Sequence, residues 1–486
     1  MKTKFKFLCL ALVLVLVILA LPACDFGDID DDEESATQEM EVHPEIEKKN
    51  YDDQCFMHIF EGLDLRYAEK SEADVMTEAL YNRQQKLLNY IGVELIGVQT
   101  GNLHEYGEAF TTAVKNKDGS VDVLIASAYV GVAGFVADGY LSRYNDMSQI
   151  NLEADYWNYD YMQNLMIDDN IYLGYSDFMI FNTYCLSFNK TMMKNYENSL
   201  DESVYESVKG YRWTLDKMIS LAKLVSTDKT GDGKTDDDTF GITGRQWIPF
   251  IGFMHASDIN LVEQNEKGEF VVAVYTEKNK AKTATLVDKL HELSTSDYAY
   301  FRFRIEETTE IALHTGRTLM YIQSTNDLKN NLSYNIDFGV LPYPMYDENQ
   351  KNVGYRSFNY DGYITFPAYM RDAEMSGDTV ELLSFMSEPV QVAYYEKLLG
   401  KKVAEVPEDR EMLQIIWKGI QSDFGLAYAS ICGGMDTNLY MLPSVTHANT
   451  NSSLASYVAG YERTTNTAIR QWIKKYNMTQ SKLDNQ

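Results

Sequence analysis

The chain has 486 residues, is 45% hydrophobic, and sets 72 acidic against 43 basic residues for a net charge of −29. That balance excludes nucleic acid and anionic lipid as main partners, since both repel a polyanion. A single core stops growing at about 250–300 residues, so this length calls for two lobes or domains.

The N-terminus comes first. Lys2, Lys4 and Lys6 precede an unbroken apolar run from Phe7 to Ala20, followed by Leu21-Pro22-Ala23-Cys24. A cationic start, an apolar core and small residues before a cleavage point are the pattern of a secretory signal. The run is short for a membrane span, which needs about 20 residues, and Pro22 would end a helix early. Leu-x-Ala-Cys resembles the lipobox of bacterial lipoproteins. That resemblance implies a signal peptide over residues 1–23, acylation of Cys24, and a protein held by lipid on the outer face of the cell membrane. Burial is worth about 0.8 kcal/mol per methylene, so two or three acyl chains make a lasting tether. Residues 24–49 read as that tether. The block Asp28-Ile29-Asp30-Asp31-Asp32-Glu33-Glu34 has little to bury and repels itself, so an extended, disordered spacer is expected.

Globular periodicity begins near Tyr51. Ala73 to Tyr90 carries apolar residues at 75, 76, 79, 80, 87 and 88, close to a helical stripe. Ile91 to Val98 is strand-like, and Tyr106 to Val114 reads as a second helix. Val121 to Ala126 has the short apolar run of a buried parallel strand. Thr214 is placed to cap a helix carrying Met218, Ile219, Leu221, Ala222 and Leu224. Strands alternating with helices point to α/β lobes.

Sites are sparse. Cys55, Cys185 and Cys432 show no metal-ligand spacing and allow at most one disulfide, and the seven histidines form no HExxH pair. No nucleophile elbow or phosphate loop is present, so nothing demands catalysis. The strongest local signal is the stretch from Asp228 to Asp238. Asp228, Thr230, Asp232, Lys234 (through its carbonyl) and Asp236 fall at ligand positions of an EF-hand-type loop, with Gly233 at the sharp turn. Thr239 stands where the bidentate Glu belongs, so two readings stay open: a structural Ca²⁺ site, or an Asp/Gly-rich turn without metal.

Several stretches share an order with a known family: Val121–Ala126, Gly139-Tyr140-Leu141, the aromatics around Trp157, Phe188-Asn189-Lys190, Trp213-Thr214-Leu215-Asp216-Lys217, the Asp-rich loop and Phe240-Gly241-Ile242. Phe338 to Pro344, Gly362 to Pro367 and Leu382 to Met386 continue it. This order resembles the family 1 extracellular solute-binding proteins, the substrate receptors of ABC importers. The resemblance implies a periplasmic-binding type II fold: two α/β lobes with mixed sheets flanked by helices, joined at a hinge. Crossings would lie near Phe181–Leu186, Tyr360–Tyr363 and Glu388–Gly400. Lobe one would be 46–183 plus 362–390, and lobe two 184–361 plus 391–486.

By the same resemblance the protein is a monomer, needs no cofactor, and binds a mono- or oligosaccharide between its lobes for delivery to permease subunits. Alginate-binding relatives close a comparable loop with an acidic residue at the place of Asp237, which joins the calcium candidates. Cleft residues past strand ends and at the hinge would be Tyr129, Trp157, Trp247, Tyr321, Tyr360 and Asp361. Aromatic rings with polar neighbours suit the C–H faces and hydroxyls of sugars. Each of these aromatics also has an ordinary core reading, and Trp213 is read as helix packing. A surface sensor or adhesin without transport, and an extracellular glycosidase needing only two spaced carboxylates, are the rival functions.

Overall fold

A computed structural model describes residues 43, 45–60, 62–99, 103–127, 131–180, 182–225, 231, 235, 238–245, 248–302, 312–358, 362–402, 405–432 and 454–484. In chain order the strands are β1 (Asp53–Ile59), β2 (Val93–Gln99), β3 (Val123–Ala126), β4 (Tyr184–Asn189), β5 (Phe240–Arg245), β6 (Val262–Gln264) and β7 (Phe270–Val272). They continue with β8 (Ala299–Arg302), β9 (Thr318–Ser324), β10 (Phe338–Leu341), β11 (Ser357–Phe358), β12 (Tyr363–Thr365) and β13 (Ile420–Gln421). The helices that matter below are α1 (Val75–Ile91), α2 (Leu103–Asn116), α3 (Val132–Ala137), α4 (Tyr159–Gln163) and α5 (Leu215–Val225). After them come α6 (Ile248–Ala256), α7 (Ala373–Phe385), α8 (Glu388–Leu399), α9 (Pro407–Lys418) and α10 (Leu454–Leu483).

Local chemistry fixes the ends of these elements. Asp74 caps α1 by accepting from the Thr77 N–H at 3.0 Å, and Gly92, at φ +69°, closes it in the left-handed region. Thr214 Oγ1 caps α5 through the Lys217 N–H at 3.3 Å. The apolar stripe read along α1 is turned from the one expected: Val75 and Leu88 face solvent, while Arg83 and Gln84 are buried. Arg83 can go inside because Ser387 Oγ and the Arg66 carbonyl accept its guanidinium at 2.8 and 3.0 Å. Trp213 is fully buried and donates to the Pro342 carbonyl at 3.0 Å, a packing role. Cys55, Cys185 and Cys432 are buried and form no disulfide among the described residues.

Two principal sheets form. The first has the order β12-β3-β1-β2, with β1, β2 and β3 parallel and β12 antiparallel to β3. Every residue of β3 is buried, as its uninterrupted apolar run requires. An antiparallel bridge from Gly174 to Ile364 lays residues around 174 beside β12, in the same sense as β3. The second sheet has the order β10-β4-β9-β5-β8; β5, β8 and β9 are parallel, and β4 is antiparallel to both β9 and β10.

The chain passes from the first sheet to the second between Gly174, bridged to β12, and Tyr184, and returns after β10 by way of β11, which pairs with β13, to Tyr363. Later, α8 packs on α1 of the first lobe, and α9 then packs on β10 of the second. The last long helix, α10, is shared. Its Asn466 accepts from the Val272 N–H of β7 at 2.8 Å, and its Trp472 donates to the Ala133 carbonyl of α3 at 2.7 Å. The molecule is therefore a mixed α/β fold of two lobes, with helices flanking each sheet. Among the described residues, no helix is long and apolar enough to cross a membrane.

Candidate functional site

Strand direction locates the cleft. The carboxyl ends of β1, β2 and β3 share one edge of the first sheet, where the segment around Gly174 also ends and where β12 begins. In the second sheet β5, β8 and β9 end at the edge where β4 begins. Both crossings therefore join the carboxyl edge of one sheet to that of the other. From Gly174, bridged to β12, to Tyr184 an extended chain spans at most about 36 Å, which bounds the separation of the two edges. Open α/β sheets bind ligands beyond the carboxyl ends of their strands, and here two such edges converge.

The crossings are tied together side by side. Thr183 donates from Oγ1 to the Phe358 carbonyl at 2.6 Å and also bonds the Ser357 hydroxyl. Its N–H donates to Thr325 Oγ1 at 3.2 Å, and its carbonyl accepts from the Thr325 N–H at 2.7 Å. Tyr184 stacks on Phe358 with ring centres 5.6 Å apart, and Phe358 meets the His255 ring at 5.1 Å. His255 is held in turn by Asp423 Oδ2 at 2.9 Å from Nε2. Asn182, at the start of the crossing, has a buried amide oxygen, Oδ1, with no hydrogen-bond partner among the described residues.

Trp157 and Tyr321 are the two nominated aromatics within the described residues. Trp157 is buried, and its Nε1–H donates to Glu381 Oε2 at 2.8 Å. The other oxygen of Glu381 accepts from the Tyr156 hydroxyl at 2.5 Å, and that hydroxyl also meets His43 Nε2 at 2.9 Å. Burial pushes the Glu381 carboxyl up, while the Tyr156 and Trp157 donors pull it down; burial also pushes the His43 imidazole down. Tyr321 sits within β9, between Ser187 of β4 and Thr243 of β5, and is buried. Tyr129, Trp247, Tyr360 and Asp361 lie outside the described residues. In sequence they follow β3, follow β5 and fall between β11 and β12. Cys24 and the loop residues Asp228, Thr230, Asp232, Lys234, Asp236 and Asp237 also lie outside the described residues. Among the described residues no group of His, Cys, Asp and Glu is arranged to hold a metal ion.

Sequence reasoning missed a chain of rings that runs from one lobe to the other. Tyr363 at the start of β12 meets Tyr161 of α4 at 6.4 Å, Tyr161 stacks on Tyr175 at 4.5 Å, and Tyr175 faces Trp417 of α9 at 6.1 Å. Nothing in the local pattern around Trp417 marks it, because the contact is made between distant segments.

No protein-family model matches the chain, and no curated protein matches it. Solved structures do. The GacH receptor of Streptomyces glaucescens, solved unliganded and with acarbose and an acarbose homologue, superimposes with a TM-score of 0.51 at 16% identity, over 87% of this chain and 98% of that one. The maltose/maltodextrin-binding domain MalE from Bdellovibrio bacteriovorus, bound to maltotriose, gives 0.49 at 15% identity, over 87% and 100%. The chain thus has the two-lobed fold of solute-binding receptors; on the GacH superposition, that fold extends over most of its length.

Proposed function

We infer that the protein is an extracytoplasmic receptor that closes its two lobes around an oligosaccharide. The carrying observation is the convergence of two carboxyl edges across paired, hydrogen-bonded crossings, in a fold shared with a receptor solved with acarbose. A ligand that touches both edges favours the closed arrangement by its extra affinity for it. Tyr129, Trp247, Tyr360 and Asp361 supply the contacts in this reading, with rings against sugar faces and the Asp361 carboxylate accepting hydroxyls. No bond is made or broken.

The remaining assignments belong to the same reading. Acylated Cys24 fixes the receptor to the outer face of the membrane, and the acidic stretch 24–49 lets it reach permease subunits. The loop from Asp228 to Asp237 holds a structural Ca²⁺. Calorimetry with maltotriose and acarbose tests the central claim. Saturable binding is expected, weakened at least tenfold (about 1.4 kcal/mol) by Trp247→Ala. Absence of binding across a panel of mono- and oligosaccharides would overturn the carbohydrate assignment.

A further inference from the structure

A depression of about 440 Å³ opens between the stretch around Trp157 and Ser176 and the end of α9. One wall is residues 152–155, 157–160 and 175–177, at the margin of the first lobe where Trp157 bridges Ser176; the other is Trp417 and Lys418, the end of α9, which packs on the edge strand β10. Its volume lies within the range of small-molecule sites, about 300–1,000 Å³.

Its lining has a definite chemistry. Rings come from both lobes: Tyr159, 37% exposed, and Tyr175 from the first, and the half-buried Trp417 from the second. Around them stand four carboxylates, Glu153, Asp155, Asp160 and Asp177, against the single ammonium of Lys418. Among the described residues none of these carboxylates is ion-paired, although carboxylates elsewhere on the surface are, as Asp138 is by Lys475 at 2.5 Å. No grouping of His, Cys, Asp and Glu among the described residues suits a metal ion. A neutral sugar would leave the excess negative charge in place. A cation with an apolar frame would satisfy both the carboxylates and the ring faces, whose quadrupoles attract it.

We propose that this depression is a second binding site, separate from the inter-lobe cleft, that takes a small organic cation bearing ammonium or guanidinium groups. Asp177 is its inner anchor. Burial, with Glu388 of α8 nearby, raises its carboxyl to about 7, and a bound cation would restore its charge. Because the walls belong to different lobes, occupancy also biases the lobe arrangement, coupling this site to the cleft.

The test is titration calorimetry on the full chain at low salt, with spermidine and agmatine as probes. Saturable binding of at least one is expected, weakened at least tenfold by Asp177→Asn and by Trp417→Ala. Lys418 is exposed, so Lys418→Gln leaves the fold intact and should tighten binding several-fold by removing the one competing charge. If Trp417→Ala does not fold, Tyr159→Ala and Lys418→Gln carry the test. No heat with either probe, or binding that Asp177→Asn and Lys418→Gln leave unchanged, would overturn the proposal, whether or not the cleft binds sugar.

Discussion

Glu381 shows how single residues hold the first lobe. Its carboxyl is fully buried and satisfied by Tyr156 and Trp157, so removing one donor leaves an underpaired charge inside. Trp157→Phe keeps the ring and deletes the N–H; it should lower stability by about 1–3 kcal/mol, read as a shift of the denaturant midpoint at unchanged slope. Asp177 behaves differently. Its carboxyl is raised from 3.8 to about 7 by burial, with the Gln391 side chain opposing and Glu388 reinforcing. The folded state therefore holds this proton more tightly than the unfolded chain does. The resulting stabilisation is complete below about pH 4 and is lost as pH rises toward 7. Asp177→Asn should match the parent at pH 4 and exceed it at pH 8, by about 1–4 kcal/mol in urea titrations. Equal stability at both values would remove the buried charge from the account. Neither partnership could be read in the sequence: Trp157 stood out as an aromatic beyond a strand, but Glu381 lies 224 residues away.

At the scale of elements, close approach decides more than propensity. In β5, a Cβ on Gly241 would lie 2.1 Å from the Ala222 carbonyl of α5, a backbone atom that cannot swing aside. Gly241→Ala should cost about 3 kcal/mol, seen as a lower melting temperature without a change of fold. Phe240-Gly241-Ile242 was legible as a motif, yet its reason appears only when strand and helix meet. The same holds for α1, whose extent followed from its apolar spacing. Its rotation was set by Arg83, which reaches Ser387 and a guanidinium-over-ring contact with Phe178 at 4.7 Å. A periodicity count treats such a residue as solvent-facing. β3 needed no such correction, since an apolar run too short for a helix has few places to go other than a buried parallel strand.

For the whole molecule, the alternation of elements and the order of family-like stretches made the two-lobed α/β architecture legible. The pairing of the crossings through Thr183, Ser357 and Phe358 was not, because hydroxyl contacts at a hinge leave no periodic trace. Nor was the sharing of α10, which binds β7 at Asn466 and α3 at Trp472. In the proposed function these ties are the hinge about which the lobes close. Small-angle scattering of the full chain, with and without saturating acarbose or maltotriose, tests that motion most directly. The account predicts a smaller radius of gyration with whichever sugar binds in calorimetry. A bound sugar that leaves the scattering curve unchanged would contradict closure of the lobes around it.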